Sequence, residues 1–339
     1  MLVLDGSAAL PAAFQSSGCV ATVGVFDGVH LGHFHVLRQV VLRAKALGQK
    51  AVMVTFASHP KSVLLGQAPT TITSLEHRLL LFRRAGIDAT LVLDFTPELR
   101  NLTADQFTRQ ILLNGLGLNE LVFGFDSKFG KDRGGNLESL QPLATEKGFA
   151  LTEVPPLMVQ GRAVSSTAIR EAVQLGDFAK AGIMLGRPAS LLGTVVKGDG
   201  RGKGLGFPTA NLDLHHELQP PAGVYATLVR LVGQDPLELL PAVANLGNRP
   251  TFEDAGHSIE VHLLDFEDDL YGKEIEVFFL QKLRNEQAFS SAEELITQIN
   301  SDCNAARRVT SAASESWVIP GKFLPIESPT AREMLGMED

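Results

Sequence analysis

The first half of the chain alternates short apolar segments with segments of helical periodicity. The strand-like segments are CVATVGV (19–25), AVMVTF (51–56), TLVLDF (90–95), ELVFG (120–124) and FALTEV (149–154). Helical patterns lie between them, over 37–47, 74–85, 103–113 and 137–147. This alternation predicts a doubly wound α/β domain with a parallel sheet and helices on both faces. Ligands bind such sheets at the carboxyl ends of the strands.

The pattern changes after Arg187 and Pro188. Five strand-like segments now follow one another closely, SLLGTVV, GVYATLVRLV, LLPAVANL, SIEVHLLDF and EIEVFFL, with Gly and Pro between them. Such spacing predicts a compact antiparallel β-barrel. A terminal helix is predicted from Ser291, with Glu294 completing a capping box. We therefore expect domains over 1–186 and 187–304, followed by an extension over 305–339 without clear periodicity.

Composition narrows the class of protein. The 339 residues are 45% hydrophobic and include 30 Lys and Arg against 38 Asp and Glu, a net charge of −8. This balance does not favour nucleic-acid binding, which needs clustered positive charge. The sequence shows neither a membrane-length apolar segment nor a secretory signal. Two distant cysteines, Cys19 and Cys303, indicate neither a disulfide framework nor a zinc site. We expect a cytoplasmic protein with small-molecule partners and no membrane partner.

The segment GVFDGVHLGH lies where the first long strand leads into the first helix. Helix N-terminal amides and the helix dipole bind phosphate, and glycine permits a tight turn and close backbone approach. Two histidines next to such a site would stabilise charge on a triphosphate under attack. Both histidines are also compatible with ordinary surface or cap positions, but their place after the first strand favours function. We therefore predict a phosphate site, and its candidate residues are Gly24, Phe26, Asp27, Gly28, His30, Gly32 and His33.

Further loops of the first half could contribute to the same crevice. VSSTAIR opens another helix and offers Ser165, Ser166, Thr167 and Arg170 to an anion, although these residues also suit a simple N-cap. FASHP at 56–60 and GFDSKFGKDRGGN at 124–136 follow predicted strands, and would bring His59, Asp126 and Arg133 to the same edge of the sheet. Each of these residues, considered alone, is also compatible with an ordinary loop.

The second half contains a glycine-rich segment followed by PTAN. Glycine occupies 198, 200, 202, 204 and 206, which predicts a flexible flap whose backbone can approach phosphates. Lys203 is followed by glycine, so the segment is not a Walker loop. Thr209 and Asn211 are separated by one residue in a predicted extended segment, so their side chains face the same way. Both could therefore bind one magnesium ion carried by ATP. The candidate phosphate residues are Gly198, Gly200, Lys203, Gly206, Thr209 and Asn211.

Glu260 alternates with Ile259 and Val261 in a predicted strand, and so lies on the opposite face from these apolar residues. A glutamate at such a position is either solvated or a general base that takes the proton from an attacking hydroxyl. The pattern alone leaves both interpretations open.

Two independent sets of motifs resemble known families. GVFDGVHLGH, TF-x-x-HP, G-x-D-x-x-FG and SSTAIR resemble the nucleotidyltransferase domain of bacterial FAD synthetase. LGRP, GFPTANL, GVYA, NLGNRPTF, EVHLLDF, LYGK and KLRNEQAF resemble the riboflavin kinase domain fused after it. The resemblance covers about residues 15–304 and implies two reactions, phosphorylation of riboflavin to FMN and adenylyl transfer from ATP to FMN.

The resemblance also implies residue roles. In the barrel, Thr209 and Asn211 would hold Mg²⁺ and phosphates, and Glu260 would be the base. In the first domain, His30, His33, Ser166, Thr167 and Arg170 would hold ATP phosphates. His59, Asp126 and Arg284 would contact the flavin or the nucleotide. FMN and FAD are then substrate and product rather than prosthetic groups. The resemblance is also compatible with a homo-oligomer.

Two residues depart from the family pattern. Ser58 replaces the usual Pro before the histidine of TF-x-PHP, and Ser127 replaces the usual Phe after the aspartate of G-x-DF. Both changes predict a looser ligand-facing loop and weaker adenylyl transfer. The alternatives are therefore a kinase with a weakened first site, or a non-catalytic flavin-binding regulator. Related nucleotidyltransferases use phosphopantetheine, nicotinamide mononucleotide or phosphocholine, but none of these acceptors would need the barrel.

Overall fold

A computed structural model describes residues 1–6, 17–57, 70–159, 161–198, 200–214, 217–233, 238–247 and 258–316 of the chain. The chain divides into two compact units. The first comprises Met1–Thr71 and Leu75–Ser166, and the second comprises Ile72–Ser74 and Thr167–Asp339. Within the described ranges, no helix is both long and apolar enough to cross a lipid bilayer.

The first unit is built on a six-stranded sheet in which every pair of neighbours is parallel. Its strands are β1 (Leu2–Asp5), β2 (Cys19–Val23), β3 (Lys50–Phe56), β4 (Ala89–Leu93), β5 (Leu118–Gly124) and β6 (Ala150–Val154). Their order is β1-β4-β3-β2-β5-β6. The order reverses between β2 and β5, and the crevice at the carboxyl ends of such a pair is where ligands bind. A two-stranded ribbon follows, formed by β7 (Met158–Val159) and β8 (Arg162–Ala163).

Helices alternate with these strands as the sequence predicted. They are α1 (Leu31–Leu47), α2 (Leu75–Arg84), α3 (Pro97–Asn101), α4 (Ala104–Phe107), α5 (Asn114–Leu116) and α6 (Leu137–Lys147). A π-helical segment, Thr108–Leu113, joins α4 to α5. Helix α1 ends at Gly48, whose φ of 64° lets its N–H reach the last carbonyls, as expected of a C-cap glycine. All five residues of β2 are buried, which is typical of a parallel strand covered on both faces.

The second unit contains a closed antiparallel barrel, so both parts of the predicted fold class are confirmed. Its strands are β9 (Ser190–Val196), β10 (Ala210–Leu214), β11 (Gly223–Leu231), β12 (Leu240–Gly247), β13 (Ser258–Leu263) and β14 (Glu274–Arg284). They close in the order β10-β13-β12-β11-β14-β9. The helices of this part of the chain are α7 (Ser166–Gln174), α8 (Phe178–Leu185), the single turn α9 (Arg201–Gly204) and α10 (Ala292–Ser316).

The terminal helix α10 is longer than the sequence predicted. It continues past residue 304, where we expected an extension without periodic structure, and ends at Ser316. Ala306, Thr310 and Ala313 are buried at helical spacing along this added length. Ala306 packs with Val224 and Val243 of the barrel, so packing stabilises a segment whose small side chains give a weak periodic signal.

A short segment from the first half of the chain is part of the second unit. The N–H of Ser74 donates a hydrogen bond of 2.8 Å to the buried carboxylate of Glu217, which also accepts one of 3.0 Å from the N–H of Leu192 in β9. The sequence predicted a single boundary between the two domains. In the structure the chain enters the second unit twice, first at Ile72–Ser74 and again from Thr167.

Candidate active sites

The segment GVFDGVHLGH connects β2 to α1 at the carboxyl edge of the parallel sheet, as predicted. Its backbone is strained, because Phe26 has a φ of 54° and the β-branched Val29 a φ of 37°. Each such conformation costs roughly 1–3 kcal/mol and persists only where the surrounding structure enforces it. Strain of this kind is concentrated at functional sites, so it supports a ligand-binding role for this turn.

The strained turn presents a stack of three rings. Phe26 stacks on His33 with 4.5 Å between ring centroids, and His33 stacks on His30 with 3.6 Å. A Cβ at Gly24 would lie 2.8 Å from the Phe26 ring, and one at Gly32 would lie 3.3 Å from the His30 ring. Both glycines therefore make room for the stacked rings, and the close approach of a ligand to the glycines of this turn stays a prediction.

His30 is the N-cap of α1, and its Nδ1 accepts a hydrogen bond of 3.3 Å from the N–H of His33. An accepting Nδ1 carries no proton, so the neutral imidazole of His30 has its proton on Nε2. The cap thereby fixes the atom with which His30 donates to a ligand. This geometry suits a phosphate oxygen at a helix N-terminus.

The segment SSTAIR meets the first motif through Ser166. The Ser166 hydroxyl donates a hydrogen bond of 3.0 Å to the backbone carbonyl of Asp27, whose side chain is buried. Ser166 is also the first residue of α7, and Ser165 precedes it on the surface. Thr167 and Arg170 follow in the first turns of α7, which belong to the second unit.

The loop after β5 forms a tight turn with Asp126 exposed at its tip. The Ser127 hydroxyl accepts from the N–H of Gly124 at 3.1 Å, and the Ser127 N–H donates to the Gly124 carbonyl at 2.9 Å. The Ser127 side chain therefore closes the turn, which does not support the expectation that this residue loosens the loop. Ser58 and His59 lie outside the described residues.

The second constellation lies on the barrel. Asn211 of β10 is directly opposite Glu260 of β13, and Glu260 is directly opposite Asn245 of β12. Residues opposite one another on antiparallel strands project from the same face with Cβ atoms about 5 Å apart. The half-buried carboxylate of Glu260 is therefore flanked by two amides. The sequence did not indicate Asn245, since the pairing of β12 with β13 cannot be read from one strand.

The glycine-rich segment closes over Thr209 and Asn211. A Cβ at Gly198 would lie 2.1 Å from Nδ2 of Asn211, and one at Gly202 would lie 3.2 Å from Oγ1 of Thr209. Gly200 and Gly206 have φ values of 69° and 89°. Residues 201–204 form the helical turn α9 within the segment for which the sequence predicted a flexible flap. The side chain of Lys203 lies outside the described part of the structure.

His262 supports the PTAN segment from the neighbouring strand. Its Nδ1 lies 2.8 Å from the carbonyl oxygen of Pro208, and because a carbonyl only accepts, Nδ1 must carry the proton. The ring of Phe207 packs edge-on against His262, with 5.7 Å between centroids. His262 therefore fixes the backbone immediately before Thr209.

Arg284 ends β14 and is held by the terminal helix. Its guanidinium forms hydrogen bonds of 3.0 and 3.2 Å from Nε, and an ion pair of 2.9 Å from Nη2, with the carboxylate of Asp302 in α10. It also lies over the ring of Phe289 at 5.7 Å. The resemblance implied a ligand contact for Arg284 but did not indicate the helix residue that orients its guanidinium.

The donors near Thr209 and Asn211 are compatible with magnesium. Among the described residues there is no group of three His, Cys, Asp or Glu side chains that could hold a metal ion. Magnesium bound to a nucleotide needs few protein ligands, because phosphates and water supply most of its oxygens. The hydroxyl of Thr209 and the amide oxygen of Asn211 are ligands of this hard type, so they fit the group.

Two family models match the chain in succession. The model described as FAD synthetase matches residues 13–168, and the model described as riboflavin kinase matches residues 185–310. Each match therefore contains one of the two constellations, since His30 and His33 lie in the first and Thr209, Asn211 and Glu260 in the second.

Curated relatives match over most of their length. The bifunctional riboflavin kinase/FMN adenylyltransferase of Haemophilus influenzae is 38% identical over 291 residues, which is 86% of this chain and 94% of that protein. The protein of the same name from Pseudomonas fluorescens is 40% identical over 301 residues, 88% of this chain and 96% of the relative. The protein of the same name from Bacillus subtilis is 35% identical over 300 residues, which is 87% of this chain and 93% of that protein.

A solved structure agrees with this assignment at the level of the fold. A crystal structure from Streptococcus pneumoniae, described as a macrolide-efflux protein, superposes with a TM-score of 0.75 at 29% identity. The superposition covers 91% of this chain and 99% of that one. The sequence matches, the two family models and the observed pair of folds lead to one conclusion: the chain belongs to the family of bifunctional riboflavin kinase/FMN adenylyltransferases.

Proposed function

We propose that this chain makes FAD from riboflavin in two steps, each in its own compact unit. The barrel phosphorylates riboflavin with ATP to give FMN, and the parallel-sheet unit transfers AMP from a second ATP to FMN. The observation that carries the proposal is the pair of separate constellations, His30 with His33 at the sheet edge and Asn211 with Glu260 on the barrel. Because ATP and riboflavin are its substrates, we place the enzyme in the cytoplasm.

In the kinase step, Glu260 is the general base. Its carboxylate accepts the proton of the 5′ hydroxyl of the ribityl chain as the hydroxyl oxygen attacks the γ-phosphorus of ATP. The bond from the γ-phosphorus to the oxygen of the ADP leaving group breaks. Asn211 and Asn245 flank Glu260 on the same face and orient the carboxylate and the acceptor hydroxyl. The glycine-rich segment holds phosphates through its amides, with Gly198, Gly200, Lys203 and Gly206 nearest to the nucleotide.

In the kinase step, ATP would bind as its complex with Mg²⁺. Thr209 and Asn211 would hold the metal ion, and when bound it neutralises charge on the phosphates. His262 keeps Thr209 in place through the Pro208 carbonyl.

In the adenylyl transfer step, a phosphate oxygen of FMN attacks the α-phosphorus of ATP. The bond from the α-phosphorus to the oxygen bridging to the β-phosphorus breaks, and pyrophosphate leaves. The protein contributes position and charge rather than a covalent intermediate. His30 donates from Nε2, His33 lies stacked beside it, and the amides of the turn and of the α7 N-terminus bind phosphate oxygens. Asp27, Gly28, Ser165 and Ser166 complete this set within the first unit.

The flavin-contacting residues are proposed to be His59 and Asp126 in the first unit and Arg284 in the barrel. Arg284 is held by Asp302, which leaves its planar guanidinium oriented for stacking or hydrogen bonding. Riboflavin, FMN and ATP are thus the partners, and we propose no nucleic-acid or membrane partner.

Incubation with riboflavin, ATP and Mg²⁺, followed by chromatographic separation of the three flavins, tests the function. We expect FMN to appear first and FAD to follow. Accumulation of FMN without FAD would indicate a kinase with a weakened first site. Bound, unreacted flavin without ATP consumption would indicate a flavin-binding regulator and contradict the proposal.

A further inference from the structure

Arg78 is a buried cation at the carboxyl edge of the parallel sheet. It lies on the inner face of α2, beside the buried Leu81 and Phe82, and only 3% of it is exposed. The resemblance to known motifs did not include it, because α2 lies outside every motif that carried the resemblance. A buried arginine needs hydrogen-bond acceptors to offset its loss of hydration, so its partners show what it holds together.

The partners of Arg78 belong to the ends of two neighbouring strands. Nη1 donates to the carbonyl oxygen of Val25 at 2.8 Å and to the hydroxyl of Thr55 at 2.9 Å, and Nη2 donates to the carbonyl oxygen of Phe56 at 3.1 Å. Val25 follows β2 inside the segment GVFDGVHLGH, and Phe56 is the last residue of β3. A single planar guanidinium therefore joins the starting points of two predicted ligand-binding loops.

The charge of Arg78 also acts on the first motif. Burial lowers the pKa of its guanidinium, whereas the nearby carboxylates of Asp27 and Glu76 act in the opposite direction. An arginine starts from so high a pKa that it stays cationic at neutral pH. The buried Asp27 thus has a permanent positive neighbour that keeps the turn after β2 next to α2.

The turn fixed by Arg78 carries the ring stack. Phe26 directly follows Val25, packs edge-on against Phe82 of α2 and stacks on His33. His33 in turn stacks on His30. A shift of the Val25 carbonyl would therefore move Phe26, and with it both imidazoles.

We propose that Arg78 is a positioning residue for adenylyl transfer, which ties the ends of β2 and β3 together and so holds His30 and His33 against the nucleotide phosphates. The inference rests on the proposed function of the first unit. It predicts an effect on the chemical step, since a small displacement of catalytic groups lowers kcat more than it weakens binding.

The test compares Arg78→Met, Arg78→Lys and Arg83→Met, an exposed arginine on the same helix that serves as the matched control. FAD formation is measured from supplied FMN and ATP, with kcat and KM determined separately and the folded fraction taken from thermal unfolding. We expect Arg78→Met to lower kcat about 30-fold or more with KM for ATP changed less than about threefold. Arg78→Lys should recover part of the loss, and Arg83→Met should match the wild type.

Riboflavin phosphorylation by the same variants is the internal control, because that reaction belongs to the other unit. We expect it to stay within about twofold of wild type in all three variants. A kcat of folded Arg78→Met within threefold of wild type would overturn the inference, as would a parallel loss of both reactions. If Arg78→Met does not fold, Arg78→Lys decides: unchanged kcat there overturns the inference. A wild-type enzyme that makes no FAD from FMN would instead overturn the proposed function.

Discussion

The imidazoles of His30 and His33 stack with 3.6 Å between their centroids and 15° between their planes. Two cations at that separation repel each other, so the pair cannot easily carry two positive charges without an anion nearby. We propose that nucleotide phosphate bound at this helix N-terminus is the anion that the pair faces.

Variants of His30 separate its two roles. His30→Asn keeps an N-cap of α1, whereas His30→Ala removes both the cap and the imidazole. We expect both to lower kcat for FAD formation roughly 100-fold or more, as loss of a donor to a developing charge does. Only His30→Ala should also lose stability, by about 1 kcal/mol in urea unfolding. Normal FAD formation by His30→Asn would show that the imidazole has only a capping role.

Gly24→Ala tests the ring stack without touching a polar group. The added methyl would lie 2.8 Å from the Phe26 ring, so the ring must shift and its stacking on His33 is disturbed. We expect a drop in kcat for FAD formation of about tenfold or more from this displacement. Gly134→Ala is the control, because a Cβ there meets only the Lys131 carbonyl at 3.4 Å and the backbone φ is −73°. Equal activity of the two variants would contradict the assigned role of Gly24.

Asp302→Asn tests whether the terminal helix orients Arg284. Asp302 is buried and Arg284 is mostly buried, so removing the charge leaves an uncompensated guanidinium. We expect the free energy of unfolding to fall by about 2 kcal/mol and KM for riboflavin to rise several-fold. Asp265→Asn breaks the exposed pair with Arg307 and should cost no more than about 1 kcal/mol. An unchanged KM for riboflavin in Asp302→Asn would remove the flavin role of Arg284.

The buried thiol of Cys19 leads to a prediction about how the stability of the fold depends on pH. Burial raises the pKa of its thiol to about 12, and it is not in a disulfide. The thiol ionises near pH 9 in the unfolded chain but stays neutral in the folded one, so this group destabilises the fold as pH rises above about 9. We expect no reaction of Cys19 with a thiol reagent at pH 8 until the protein is denatured. Rapid labelling of native protein, absent from Cys19→Ala, would contradict the burial.

The sequence predicted the architecture because each layer has a strong periodic signal. The buried parallel strands read as apolar runs, the barrel strands alternate, and glycine or serine marks the helix ends. The same signals did not indicate that α10 continues past residue 304, where Ala306, Thr310 and Ala313 are buried. Small residues give little hydrophobic contrast, so tertiary packing stabilises a helical segment that the pattern does not show.

The candidate site residues could be proposed from the sequence where they form one local motif, but not where strand pairing or helix packing brings them together. His30 and His33 share one turn of sequence, and Thr209 and Asn211 share one short segment. Asn245 lies opposite Glu260 through strand pairing, and Arg78 reaches the ends of two strands from a helix. A charged residue such as Arg78 is also expected on the outer face of a helix, which is why its burial could not be read from the pattern.

The most direct test of two independent sites is a mixing experiment with Glu260→Gln and His30→Ala. Given riboflavin, ATP and Mg²⁺, we expect His30→Ala to accumulate FMN, and Glu260→Gln to make no FMN yet convert supplied FMN to FAD. An equal mixture of the two proteins should then make FAD from riboflavin, because FMN released by one is used by the other. Loss of both reactions in either variant, or near-normal FMN formation by Glu260→Gln, would contradict the account.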